Sequence, residues 1–253
     1  MVRKSKVYEN VRRPNNRQPN IPTNKLSTKK IRDASNLNEG ITNFYEYAKS
    51  EKAYNPNYKN HLINIPFRMG IIGSSGSGKT NVLLEIIRRM NDTFEEIIIC
   101  LRSKNEPLYL MLEEKSKGMV KFYENEIPNV EDFKDGKQRL VVFDDLILDK
   151  RLNVIIGEYM IRARKYNISS IYISQSFYMI PKIIRQQFNY LILKKLGNLK
   201  DIKMIVKDYS LGLKTDDLME IYKECTKNKF DFMMLDLENQ DYKYRWNFSV
   251  IDI

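Results

Sequence analysis

One histidine, one tryptophan and two cysteines are all that 253 residues hold of those types, and the scarcity excludes whole classes of chemistry. A lone imidazole, His61, builds no His-ligated metal cluster, and Cys100 and Cys225 have no zinc-type spacing. Both cysteines fall in apolar, regular-looking stretches, which predicts buried, reduced thiols. His61 is expected on the surface or in a linker. No run of about 18 apolar residues is present, so no transmembrane segment is predicted. The start MVRKSKVYENVRR lacks the apolar centre of a secretory signal, and the expectation is a soluble, intracellular chain. With 42% hydrophobic content, such a length suits one domain of about 200 residues plus an appendage.

What the sequence does have is positive charge, unevenly placed. Residues 1–33 carry ten Lys/Arg against Glu9 and Asp33, a net +8 of the formal +11, which leaves +3 for the rest. Pro14, Pro19 and Pro22 interrupt this leader among Asn, Gln, Ser and Thr. It has too few large apolar residues to offset an ordering cost of roughly 1–2 kcal/mol per residue. The reading is a basic arm, disordered when free, that either keeps the protein soluble or binds DNA phosphates or an acidic capsid surface.

Residues 34–60 form a transition, with a weak helical pattern broken by NPNYKN. From Ile63 onward, short apolar runs alternate with helical periodicity. Strands are predicted at 67–73, 95–102, 119–123, 139–146, 168–175 and 190–195, and helices at 79–90, 107–118, 151–167 and 181–188. That alternation implies a mainly parallel central sheet with helices on both faces. The resulting division is an arm at 1–60, an α/β core at 61–200, and a C-terminal α/β extension at 201–253 packed on the sheet edge.

The stretch GIIGSSGSGKTNVLLEII, Gly70 to Ile87, contains G-x-x-x-x-G-K-T between a strand and an amphipathic helix, the context a phosphate loop requires. Gly73, Gly76 and Gly78 let backbone N–H groups of Ser74, Ser75 and Ser77 point inward around a phosphate. Lys79 is expected on the β- and γ-phosphates and Thr80 on Mg²⁺, at the positive end of a helix. RLVVFDDL ends in Asp144 and Asp145, where a parallel strand delivers its acids to the sheet's carboxyl edge. Asp144 is expected to hold Mg²⁺. Asp145 is placed either to deprotonate the attacking water or to cap the next helix. Gln175, ending the adjacent strand, would sense the γ-phosphate or merely close the strand. Arg162 and Arg164 would either reach a neighbouring subunit's γ-phosphate or serve as solvated helix-end charges. Asn228-Lys229-Phe230-Asp231 matches the guanine-reading N-K-x-D pattern, but a polar stretch precedes it where GTPases have an apolar strand, so guanine specificity is not expected.

With the phosphate loop, FDDL, the arginine-bearing helix and RARKYNISSIYISQSFYMIPKIIRQQFNY in that order, residues 63–195 resemble the FtsK–HerA superfamily, P-loop NTPases of the ASCE type. The likeness is nearest to genome-packaging ATPases of poxviruses, giant viruses and virophages. The resemblance implies an ATPase using ATP and Mg²⁺ that threads double-stranded DNA, without sequence preference, into a preformed capsid. It implies a homo-oligomeric ring, pentamer or hexamer, contacts with capsid or portal-vertex components, and a place in the host-cell cytoplasm, in the viral factory, and in the virion. Asp145 stands where a glutamate is usual, one methylene shorter, and Arg185 is a reserve for the trans-acting arginine. Two other readings stay open: a small-molecule P-loop kinase, and a nucleotide-gated DNA or capsid adaptor without turnover.

Overall fold

The computed structural model describes residues 53–252 apart from positions 147, 211, 240 and 242; the basic arm and its expected disorder lie outside the described residues. Six strands run parallel, all but the edge strand β3 of largely apolar sequence: β1 (Arg68–Ile72), β2 (Glu96–Leu101), β3 (Val120–Glu124), β4 (Arg139–Asp144), β5 (Ile168–Ser174) and β6 (Tyr190–Leu193). Three more, β7 (Met233–Asp236), β8 (Tyr244–Trp246) and β9 (Ser249–Val250), continue the same sheet antiparallel from β6. The order is β3-β2-β4-β5-β1-β6-β7-β8-β9. The C-terminal extension therefore widens the core sheet rather than resting against it.

Alternation along each strand feeds two cores. Val141 and Phe143 of β4 enter a cluster with Ile156 and Tyr159, whereas Leu140 and Val142 enter one with Val82, Leu83 and Ile86. The first face is covered by α3 (Lys150–Arg162), α5 (Leu199–Asp208) and α6 (Thr215–Cys225), and the second by α1 (Lys79–Arg89) and α2 (Pro107–Lys115). Cys100 and Cys225 are free and buried, as expected.

Three expectations need correction. His61 is not a surface residue: it is fully buried, its Nδ1 accepts from the Ile63 N–H at 3.0 Å, and its carbonyl accepts from Arg245 at 2.9 Å. Arg245, also buried, pairs with Asp236, so an ion pair from the extension clasps the chain just before β1. Residues 54–60, assigned to the arm, are tied to the core through Tyr54 with Gln138 and Asn57 with the Asn91 carbonyl. The helix expected at 181–188 shrinks to α4 (Lys182–Arg185). There Phe188 has to fold back against Gly70, where even a methyl group would meet its ring at 2.8 Å.

Candidate active site

The carboxyl edge of β1, β4 and β5 gathers most of the residues expected to act on a phosphate. Leaving β1, the chain turns at Gly73, where a Cβ would come within 2.5 Å of Lys194 Cβ and 2.6 Å of Ser77 Oγ, so only glycine fits. Gly76 and Gly78 adopt positive φ of 67° and 91°, and Gly78 then starts α1. Ser77 Oγ is buried behind the loop against Gly73, with no hydrogen-bond partner among the described residues. The Lys79 ammonium caps the loop's own carbonyls, Gly73 at 2.9 Å and Ser74 at 3.0 Å. Desolvation lowers its pKa against the pull of Asp144 and Asp145. The N–H groups of Gly73, Ser74 and Ser77 donate to the carbonyls of Ser174, Lys195 and Ser74, and a desolvated cation at the head of a helix fits a polyphosphate.

Across the cleft, Asp144 ends β4 and accepts from the Tyr109 hydroxyl at 2.5 Å. Burial raises its carboxyl to about 6, more than the Tyr109 hydrogen bond lowers it. A nearby cation would favour the ionised form, and the oxygens of Asp144 and Thr80 suit Mg²⁺, a hard cation. Thr80 Oγ1 donates to Glu106 Oε2 at 3.2 Å. Asp145 sits at φ +53°, a left-handed turn that swings its side chain away from the strand register. Gln175, immediately past β5, donates Nε2–H to Asp145 Oδ2 at 3.2 Å. The helix-capping alternative for Asp145 is overturned, because Asp149 caps α3, accepting from the N–H groups of Arg151 and Leu152. Lys79, Thr80, Asp144, Asp145 and Gln175 together line one open cleft of about 580 Å³.

The arginines are not in this cleft. Helix α3 starts at the carboxyl edge and returns to the amino edge, where β5 begins. Arg162 and Arg164 thus stand roughly 20 Å from the cradle, the length of a seven-residue strand. Arg162 pairs with Glu131 from a preceding loop. Arg185 is held locally, donating to the Ile180 carbonyl at 3.0 Å with its guanidinium 5.6 Å from the Phe177 ring centroid.

Sequence reasoning did not place Asn81, Glu106, Leu108, Tyr109, Lys229 or Phe230 at the site. Glu106, the N-cap of α2, and Tyr109 within α2 follow β2; the signal was available, since β2 pairs with β4 in parallel and delivers its following segment to the same edge. Lys229 and Phe230 arrive from the extension; the sequence marked them only through the N-K-x-D match, whose polar context argued against a role at the nucleotide.

Among curated protein sequences no relative matches the chain. In fold it is similar to the genome-packaging NTPase B204 of Sulfolobus turreted icosahedral virus 2 solved with sulfate, with a TM-score of 0.53 and 13% identity over 75% of this chain and 99% of that one. The AMPPCP complex of B204 gives a TM-score of 0.53 and 14% identity over 74% and 100% of the two chains. The cytoplasmic domain of the type VII secretion ATPase EccC of Thermomonospora curvata gives 0.52 and 11% identity, covering 74% of this chain and 26% of that one. At such identities the likeness establishes a shared P-loop fold. A family model, the poxvirus A32 protein, matches residues 55–236. The chain belongs to this poxvirus A32 protein family, viral genome-packaging ATPases of the FtsK–HerA type.

Proposed function

We propose that the chain is a subunit of an oligomeric motor that hydrolyses ATP to move double-stranded DNA into a preformed capsid. One observation supports the reading above others: in a single cleft, the phosphate loop's Lys79 and Thr80 face Asp144, while Asp145 is hydrogen-bonded to Gln175. Lys79, which caps the Gly73 and Ser74 carbonyls, would hold the β- and γ-phosphate oxygens, and Thr80 and Asp144 would hold Mg²⁺. The metal, when bound, neutralises charge that develops on the transferring phosphoryl oxygens. Asp145 accepts a proton from the water that attacks the γ-phosphorus as the bond to the β-phosphate oxygen breaks, leaving ADP and phosphate. Gln175, which donates to the Asp145 carboxylate, senses the γ-phosphate in this reading.

In this reading duplex DNA is gripped through its phosphates, without sequence preference. Arg162 or Arg164 acts on the cradle of an adjacent subunit, since neither reaches its own.

The test is phosphate release with and without duplex DNA. Stimulation by DNA, lost in Lys79→Ala and in Asp144→Asn, is the expected result. Turnover that ignores DNA under assembling conditions would refute the motor.

A further inference from the structure

The match to N-K-x-D at Asn228–Asp231 lies against the phosphate loop, although its sequence context argued against a guanine reader. Lys229 and Phe230 line the same cleft as Lys79, Thr80 and Asp144. The Phe230 ring is 62% exposed, and its Cδ1 would lie 3.8 Å from a Cβ on Gly78. The ring is thus open to solvent at the rim of the phosphate cradle. The Lys229 ammonium, 5.9 Å from the ring centroid, puts a cation at the same rim.

The loop is held rigidly from below. Lys194, buried at the end of β6, donates to the Lys229 carbonyl and to the Asp231 carbonyl, each at 2.8 Å. The same side chain walls the turn at Gly73, so one lysine fixes both the floor of the phosphate loop and the position of Phe230.

In a guanine reader the acid of this pattern turns its carboxylate outward to the base edge. Here both oxygens of Asp231 are used inward. Asn228 Nδ2 donates to Oδ2 at 2.8 Å and Asn247 Nδ2 to Oδ1 at 3.0 Å. The Asn228 amide commits one of its N–H groups to the same pair. The feature that faces the cleft most openly is the ring of Phe230.

We propose that the loop 228–231 is the nucleobase subsite, with Phe230 as a stacking platform that holds purines by their faces rather than their edges, so that adenine and guanine nucleotides bind alike. This deepens the reading of the cleft as a nucleotide site and rests on it.

The full-length chain is titrated with ATP, GTP and inorganic tripolyphosphate in the presence of Mg²⁺. Phe230→Ala is expected to weaken ATP and GTP by about tenfold each, within the range for removing a ring from under a base, and to leave tripolyphosphate unchanged. Phe230→Trp should restore both nucleotides. ATP binding within twofold of wild type in Phe230→Ala would overturn the inference, as would an equal loss of tripolyphosphate affinity. A wild-type preference of more than tenfold between ATP and GTP would overturn face-only recognition. Failure of the wild-type chain to bind tripolyphosphate or nucleotide would instead bring down the underlying nucleotide reading.

Discussion

At the scale of single residues, the departure from the usual acidic pair is Asp145. Its backbone sits at φ +53°, and its carboxylate accepts from the Gln175 amide. Asp145→Asn should keep ATP affinity and lower kcat by about 10²-fold or more, the usual weight of general-base catalysis. A rate within twofold of wild type would remove Asp145 from the mechanism. His61 supports a pH prediction. Burial, then the positive charges of Arg245 and Arg89, lower its pKa from 6.5 to about 4. A base that titrates lower when folded binds fewer protons folded than unfolded, so stability is intact above about pH 6.5 and declines as pH falls toward 4. His61→Asn should flatten that slope when melting is compared at about pH 7.5 and about pH 4.5. An unchanged slope would assign the acid sensitivity to other groups. The phosphate-loop residues and Asp144 were legible because their spacing and strand context are local. The burial of His61 was not, since it depends on Arg245, 184 positions away.

At the scale of elements, the strands were read well because parallel strands covered on both faces are nearly continuous apolar runs. Helix ends were read less well. The run expected at 151–167 leaves α-helical geometry after Arg162 and finishes as a 3₁₀ turn, Ala163–Tyr166, closed by Asn167 at φ +59°. That ending places Arg162 and Arg164 at the amino edge of the sheet, away from their own cradle. If one of them serves the neighbour, its alanine variant should keep ATP affinity yet lose about 10³-fold in turnover, the low end for an arginine finger. Mixing it with Lys79→Ala should restore activity at interfaces joining an intact loop to an intact arginine, and only at concentrations that permit oligomers. If neither arginine variant complements and both remain active, the pair are helix-end charges.

At the scale of the whole molecule, charge and catalysis are kept apart in sequence: +8 of the +11 precedes residue 34, while every cleft residue lies beyond residue 70. Removing residues 1–33 should leave basal hydrolysis unchanged and weaken DNA binding, with the slope of log K against log salt falling by about 0.9 for each DNA phosphate the arm no longer neutralises. An unchanged slope would relieve the arm of any role on DNA. The placement of β1 has a mechanical meaning. It is the middle strand of nine, with four on either side, and close-packed interiors transmit strain rather than absorb it. A subunit that hauls on a polymer would thus bear tension across a stiff plate whose centre line ends in the phosphate loop. The loops along the carboxyl rim, where the nucleotide cleft lies, stand outside the strand ladder of that plate.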